Sequence, residues 1–168
     1  MKKWIIPERF LTEFVSNSPE ETFALGKRIA ALISAGTVIA LRGELGSGKT
    51  QLVKGIACGL GIAETVTSPT YTIISEYCAS GNCAFPTLYH IDAYRLESAE
   101  DFDALGGREI INSKGISVIE WSERIEKSLP PDAITISLSI TGPSSRVIKI
   151  DSLKIESVSI ESTLTEGL

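Results

Sequence analysis

The segment Gly43–Thr50 constrains this chain more than any other part of its sequence. It reads GELGSGKT and fits the phosphate-binding spacing G-x-x-x-x-G-K-[ST], so we call it the P-loop motif. The β-branched and apolar run Val38–Leu41 precedes it, and an apolar helical pattern starts at Gln51–Val53. The glycines let backbone N–H groups converge on a phosphate, at which the following helix aims its positive end. The segment predicts a nucleotide-binding protein, and the flanking strand and helix disfavour a glycine-rich turn that binds nothing.

The side chains of the P-loop motif also have predicted roles. Lys49 can reach the β and γ phosphates of a nucleotide and is a candidate catalytic residue, while the Thr50 hydroxyl can ligate Mg²⁺. The predicted nucleotide-binding residues of this segment are Glu44, Leu45, Gly46, Ser47, Gly48, Lys49, Thr50 and Gln51.

Length and charge limit the other function classes. The 168 residues suit one domain, residues 1–168, in which residues 152–168 either add a strand or form a loose tail. The net charge is −5 and the sequence has no long basic run, whereas a protein that binds tRNA or DNA unaided normally carries a basic footprint. Any nucleic acid is therefore expected to be held by a partner.

The cysteines and apolar stretches predict a cytoplasmic protein. Cys58, Cys78 and Cys83 cannot all pair, and the N-terminal residues do not read as a signal peptide, so a reducing cytosol is the simplest setting. Cys78 and Cys83 with His90 fit no strong zinc spacing, so we expect ordinary thiols. The most apolar stretch, Ile29–Leu41, is too short for a membrane span.

Two longer helices are predicted from their start and stop signals. Ser18 reads as a helix cap, with Pro19 in the first turn and Glu21 completing a capping box, and the apolar period continues until Gly36. The second helix is expected to run from Lys49 to Leu60, after the P-loop motif.

The rest of the chain predicts shorter elements. They are a turn-like segment Thr65–Thr72, strands Thr72–Tyr77 and Thr87–Ile91 separated by a turn at Ser80–Asn82, a helix from Ser98 to Gly106–Gly107, a buried parallel strand Gly115–Glu120, and a short helix Ser122–Leu129. Apolar residues then alternate over Ile134–Ile140 and Ile148–Ile150, which predicts two antiparallel strands with one solvent-exposed face. The expected fold is α/β, with a P-loop NTPase-like central sheet, mostly parallel with antiparallel strands, flanked by helices.

Carboxylates at two strand ends are candidates for the metal side of the site. Glu120 closes the apolar run Ile116–Ile119, as a Walker B acid does beside Mg²⁺, and Asp92 closes Leu88–Ile91 less cleanly. Surface carboxylates at strand ends are the alternative reading for both.

Other polar residues near these strand ends have two readings each. His90 alone is more often structural than catalytic, and Tyr94 and Arg95 either position Asp92 or simply pack. Ser68–Thr70 is a turn by default, yet GTPases keep a γ-phosphate-sensing switch in a loop at this point of the chain.

Four motifs together resemble one family. GELGSGKT at 43–50, SPTYT at 68–72, YHIDAYRL at 89–96 and IEWSER at 119–124 occur in the order and spacing of the bacterial TsaE (YjeE) family of ATPases, which takes part in tRNA threonylcarbamoyladenosine biosynthesis. The likeness extends from the Ser18 helix to about Ile150. Ser122 is a departure, because many members have a proline next to the tryptophan.

The resemblance implies ATP and Mg²⁺ as cofactors and partner-dependent ATP hydrolysis. The implied partners are TsaD-like and TsaB-like proteins, which transfer the threonylcarbamoyl group to adenosine. The resemblance also implies that tRNA is contacted only indirectly and that no membrane is involved. Lys49 and Thr50 carry over as phosphate and Mg²⁺ contacts, Glu120 as the second Mg²⁺ contact, and Asp92 as the acid near the γ-phosphate. The Ser68–Tyr71 segment corresponds to a switch-like loop. Further implied nucleotide contacts are Pro19, Thr22, Trp121 and Gly142.

Three other classes of protein also bind nucleotides through such a motif. A small-molecule kinase also combines a P-loop with an α/β sheet, but its lid needs paired arginines, and the arginines here are scattered. A GTPase would need an N-K-x-D motif, which Asn112–Gly115 imitates poorly. A non-catalytic nucleotide sensor that signals through loop ordering is the third reading.

Overall fold

A seven-stranded mixed sheet forms the centre of the computed structural model, which describes residues 10–69, 71–78 and 87–152. The strands, in chain order, are β1 (Phe10–Ser16), β2 (Val38–Arg42), β3 (Ile74–Tyr77), β4 (Leu88–Asp92), β5 (Ile116–Glu120), β6 (Ile134–Ile140) and β7 (Arg146–Ser152). Their spatial order is β1-β7-β6-β2-β5-β4-β3. The predicted turn at Ser80–Asn82, Cys83 and the tail after Ser152 lie outside the described residues.

The sheet is parallel at its centre and antiparallel toward its edges. β2 pairs in parallel with β5 and β6, and β4 pairs in parallel with β5. β3, β7 and β1 add antiparallel pairings on the two sides. The predicted α/β fold is therefore confirmed, including the antiparallel pair formed by β6 and β7.

Helices cover both faces of the sheet. They are α1 (Pro19–Leu32), α2 (Lys49–Gly59), α3 (Ala99–Ala104) and α4 (Gly107–Ile111), with 3₁₀ segments at Ala93–Arg95 and Ser122–Ser128. α1 and α2 share one apolar core with residues such as Ile39 and Val118, whereas Phe102 of α3 packs in a second core with Ile91 and Ile119. Among the described residues, no helix is both long and apolar enough to cross a membrane.

The start of α1 follows the predicted capping pattern with one change. The Ser18 hydroxyl accepts a hydrogen bond from the Glu21 N–H at 3.2 Å, as expected of a helix cap. The Glu21 carboxylate reaches back to the N–H of Asn17 at 2.7 Å, one residue before the position that a capping box would use.

One predicted helix end differs from the structure, and one short helix was not predicted. α1 ends at Leu32 rather than Gly36, because Ile33 is extended and the Thr37 hydroxyl accepts from the Ser34 N–H at 3.3 Å. The helix predicted from Ser98 to Gly106–Gly107 is confirmed as α3, which Gly106 ends with φ +78°, whereas α4, which begins directly after it, was not predicted.

Glycines let α1 and α2 approach each other closely. A methyl group on Gly55 would lie 2.1 Å from the Phe23 carbonyl oxygen, and one on Gly26 would lie 2.4 Å from the Leu52 oxygen. Because neither glycine has a side chain, the backbones of the two helices can lie in direct contact here. This contact matters for the site, because the first turn of α2 carries Lys49 and Thr50.

Candidate functional site

Three strand ends and one helix start meet at the same edge of the sheet. In the parallel register, Glu120 lies beside Leu41 of β2 on one side and beside Asp92 of β4 on the other. The P-loop motif leaves β2, and α2 begins at Lys49. The carboxyl ends of parallel strands are where open α/β sheets bind ligands, so the predicted chemical residues converge at one place.

The backbone of the P-loop motif has the conformation that its glycines permit. Gly43 adopts φ +145° and Gly48 adopts φ +100°, a region that side chains disfavour. A methyl group on Gly43 would lie only 2.5 Å from the Leu138 carbonyl oxygen. Beneath the loop, the Ser47 hydroxyl is buried and has no hydrogen-bond partner among the described residues.

Lys49 is a buried cation held at the centre of the site. Its side-chain nitrogen donates to the carbonyl oxygens of Gly43 at 2.7 Å and Glu44 at 3.0 Å, and lies 4.0 Å from the centre of the Trp121 ring. Burial lowers the pKa of Lys49 from its ordinary value, and the carboxylate of Glu120 opposes that shift. An anionic ligand would relieve the cost of burying this charge.

Thr50, Glu120 and His90 form one hydrogen-bonded chain. The Thr50 hydroxyl donates to Oε1 of Glu120 at 2.9 Å, and Nε2 of His90 lies 2.8 Å from the same oxygen. A carboxylate only accepts, so we assign the proton of His90 to Nε2. Among the described residues no hydrogen bond reaches Oε2 of Glu120, which leaves that oxygen available to a cation.

Asp92 is buried and held by both of its carboxylate oxygens. Ser68 donates its hydroxyl to Oδ2 at 3.0 Å, and the Tyr94 N–H donates to Oδ1 at 3.0 Å. Ser68 belongs to the predicted switch-like loop, so this bond connects that loop directly to the acid. The carboxylate is therefore oriented by two elements at once.

Trp121 and Tyr94 make an aromatic wall beside Lys49. Trp121 adopts a left-handed backbone conformation, φ +58°, which is uncommon for such a residue. Its ring lies 5.0 Å from that of Tyr94. The adjacent Ser122 donates its hydroxyl to the Leu41 carbonyl at 3.2 Å and so connects the segment after β5 to β2.

Two cavities surround the P-loop motif. The phosphate-side cavity, of about 470 Å³, is lined by Leu45, Gly46, Gly48, Lys49, Thr50, Gln51, Ser68, Asp92, Tyr94, Glu120 and Trp121. The second cavity, of about 290 Å³, is lined by Pro19, Thr22, Gly46, Gly48, Gln51, Pro143, Ser144 and Arg146. The two share Gly46, Gly48 and Gln51, and Gln51 donates to the Pro19 carbonyl at 3.3 Å.

Three predicted nucleotide-binding residues do not line either cavity. Glu44 is exposed, and its carbonyl oxygen accepts a hydrogen bond from Lys49. The Ser47 side chain is buried. Gly142 lies in the turn between β6 and β7, where its carbonyl oxygen accepts from Arg146 at 3.1 Å. The other predicted site residues line one cavity or the other.

The donor set fits Mg²⁺ that is shared with a phosphate rather than enclosed by protein. Within residues 10–69, 71–78 and 87–152, no group of three His, Cys, Asp or Glu side chains could hold a metal by itself. Mg²⁺ commonly uses one or two carboxylates together with phosphate oxygens. The Thr50 hydroxyl beside Glu120 supplies that kind of partial site.

The sequence patterns did not identify Arg146 as a site residue, and they favoured a structural role for His90. Arg146 donates to the carbonyl oxygens of Ser47 at 3.0 Å and Gly46 at 2.9 Å, about a hundred positions earlier in the chain. No local pattern marks such a contact. His90 could have been found by its place two residues before Asp92 on an inward-facing strand position.

Comparison with known proteins identifies the family. The family model for "Threonylcarbamoyl adenosine biosynthesis protein TsaE" matches residues 16–148. A Treponema pallidum protein named tRNA threonylcarbamoyladenosine biosynthesis protein TsaE is 43% identical over 136 residues, which are 81% of this chain and 97% of the relative. The Bacillus subtilis protein of the same name is 42% identical over 131 residues, 78% of this chain and 79% of the relative.

A solved structure shares the fold. The crystal structure of Bacillus subtilis YdiB superposes with a TM-score of 0.72 at 31% sequence identity, and the match covers 94% of this chain and 96% of that one. The resemblance inferred from the four motifs is confirmed. This chain belongs to the TsaE family and has a role in tRNA threonylcarbamoyladenosine biosynthesis.

Proposed function

We propose that this protein binds ATP with Mg²⁺ and hydrolyses it slowly, in support of threonylcarbamoyladenosine formation by TsaD-like and TsaB-like partners. The observation that carries the proposal is the convergence of buried Lys49, the Thr50–Glu120 pair and Asp92 in one cavity behind the P-loop motif. The cavity is within the size range of small-molecule sites.

The phosphates would be held by the P-loop motif and Lys49. The Lys49 ammonium is already desolvated, and among the described residues it donates to two carbonyl oxygens and lies over the Trp121 ring. Phosphate oxygens are stronger acceptors for this cation than peptide carbonyls. Bound phosphate would therefore draw Lys49 from its present partners without a change in the fold.

Glu120 and Asp92 would divide the remaining chemistry. Glu120, with its Oε2 open and Thr50 bonded to its other oxygen, is suited to Mg²⁺. Asp92, held by Ser68 and the Tyr94 N–H, is suited to face the γ-phosphate or the attacking water. Mg²⁺ would neutralise charge on the phosphates, while these side chains supply orientation.

The second cavity would receive the nucleoside end of ATP. It adjoins the phosphate-side cavity through Gly46, Gly48 and Gln51. Pro19 and Thr22 at the start of α1 form one wall. The Thr22 hydroxyl already contacts that of Ser16 at 2.8 Å, so Thr22 would contribute shape more than hydrogen bonding to a ligand.

Exposed apolar side chains near the cavity support the proposal that ATP hydrolysis depends on partner proteins. Leu45 is 85% exposed, Tyr71 is 85% exposed and Tyr94 is 49% exposed, although large apolar side chains usually gain from burial. The net charge of −5 disfavours direct tRNA binding, so tRNA would be contacted through the partners. The transfer of the threonylcarbamoyl group would be their chemistry.

Two alternatives have weaker support. A small-molecule kinase would need arginines over the transferred phosphoryl group, and among the described residues no arginine lines the phosphate-side cavity. A non-catalytic nucleotide sensor is favoured by the Ser68–Asp92 bond, which would let a loop respond to the γ-phosphate. Both alternatives use the same nucleotide site. The kinase would form a phosphorylated metabolite, whereas the sensor would form no product.

Direct measurement of binding and products tests the proposal. Isothermal titration with ATP and ADP, with and without Mg²⁺, should show binding that Lys49→Ala greatly weakens. Product analysis should show slow release of inorganic phosphate into water and no phosphorylated metabolite. Lack of ATP binding by the wild-type protein would refute the proposal, and fast γ-phosphate transfer to a metabolite would favour the kinase.

A further inference from the structure

Arg146 contacts four backbone carbonyl groups with one guanidinium. Nε donates to the Ser47 oxygen at 3.0 Å, and one terminal nitrogen donates to the Gly46 oxygen at 2.9 Å. The other terminal nitrogen donates to the oxygens of Gly142 at 3.1 Å and Ser145 at 2.8 Å. Arg146 thus joins the P-loop motif to the turn between β6 and β7.

This arrangement is not an ordinary ion pair. Within the part of the chain that the structure describes, the ion pairs involve other side chains, and none joins a carboxylate to Arg146. The planar fork of arginine can bind several oxygens at fixed angles, which an ammonium group cannot do. The contact therefore depends on the shape of the guanidinium as well as on its charge.

The direction of the carbonyls determines the direction of the amides. In a trans peptide the C=O and the following N–H point in opposite directions. The Ser47 N–H donates to the Glu44 oxygen at 3.1 Å within the loop. The next N–H, that of Gly48, points away from Arg146 because the Ser47 carbonyl points toward it, and Gly48 lines the phosphate-side cavity.

We infer that Arg146 is a positioning residue for phosphate binding: by holding the Ser47 carbonyl outward, it keeps the Gly48 amide directed at the phosphates. The inference rests on the proposed nucleotide binding, and it assigns a role to a side chain that the proposed function does not use. Arg146 also lines the second cavity, but its guanidinium donates to backbone carbonyls, so the role inferred here acts through the backbone and supplies no group to the reaction. It also makes the geometry of the P-loop motif depend on the Gly142–Ser145 turn.

The test compares Arg146→Lys with wild type and with Lys149→Ala. Arg146→Lys keeps the positive charge and loses the fork. Lys149→Ala removes an exposed cation of the same strand, whose partner is Glu13 at 3.3 Å. ADP and ATP affinities are measured by titration with Mg²⁺ present, and KM and kcat for ATP hydrolysis are measured in parallel.

Arg146→Lys should weaken ADP and ATP binding by about tenfold each, with KM raised and kcat nearly unchanged, since the lost contact orients an amide that holds bound phosphate before and during reaction. Lys149→Ala should bind as wild type does. A merely structural role would lower the melting temperature of Arg146→Lys and leave its affinity at lower temperature unchanged, which would overturn the inference.

The outcomes separate this inference from the proposed function. If wild type binds no nucleotide, the proposed function fails; if wild type binds and Arg146→Lys binds equally well, only the role of Arg146 fails. Should Arg146→Lys not fold, NMR of the wild-type protein gives the same decision. The Arg146 Nε proton should exchange slowly and its signal should shift on ADP addition, and a signal that does not shift when ADP binds would overturn the inference.

Discussion

At the residue scale, three charged side chains are buried together around one cavity. Lys49, Asp92 and Glu120 are each at least 95% buried, and they meet at one cavity. Buried charges are costly unless they are paired and hydrogen-bonded. Lys49 is bonded to carbonyls rather than to a carboxylate, so the cation is ready to receive an anion.

Lys49→Ala should reduce ATP affinity by at least about a hundredfold, because the mutation removes a buried charge-assisted contact to the phosphates. Lys54→Ala, on the same helix and outside the phosphate-side cavity, is the matched control and should bind as wild type does. Titration calorimetry measures both. Near-native affinity in Lys49→Ala would contradict the assigned role.

Glu120→Gln and Asp92→Asn should separate metal binding from turnover. A neutral amide is a poorer ligand for a hard cation, so Glu120→Gln should raise the Mg²⁺ concentration required for half-maximal activity. Asp92→Asn should leave nucleotide affinity nearly intact and lower kcat by roughly a hundredfold. Magnesium titrations and nucleotide affinities on both variants check this, and the opposite pattern would mean that the two roles are reversed.

At the scale of elements, the position of α2 decides where Lys49 and Thr50 lie. Gly55 and Gly26 let α2 rest directly on the backbone of α1. The predicted helices and strands were recognisable because their apolar periods and caps are local features. The end of α1 and the presence of α4 after Gly106 were missed, because Ile33 continues the apolar period and a single glycine does not reveal whether a helix resumes after it.

Gly55→Ala should destabilise the fold by about 1–3 kcal/mol, because its methyl group would meet the Phe23 carbonyl oxygen at 2.1 Å and push the helices apart. Cys58→Ala is the matched control, since Cys58 is exposed on the same helix. Chemical denaturation measures the free energy of unfolding of both variants. Equal stability of Gly55→Ala and wild type would show that the helix contact is not close in solution.

At the scale of the whole molecule, the parallel strand order brings together residues that are far apart in sequence. The convergence of Thr50, Asp92 and Glu120 could be predicted because parallel strands end at the same edge of a sheet. The contacts of Arg146 could not be predicted from the sequence. Arg146 lies on β7, an antiparallel strand, and its side chain binds backbone carbonyls of the distant P-loop motif. The edge strand β1 gave no clear apolar alternation, since its buried positions include Thr12 and Ser16 while Leu11 and Val15 are exposed.

We propose above that an ATP cycle in this protein supports the work of other proteins on tRNA. The direct measurement is reconstitution with purified TsaD-like and TsaB-like proteins, tRNA and the threonylcarbamoyl donor, following ATP turnover and modified nucleoside over several cycles. Wild type should hydrolyse ATP slowly alone, faster with the partners, and sustain repeated modification, whereas Lys49→Ala should not. Repeated modification that is equal with wild type, with Lys49→Ala and without this protein would contradict the account.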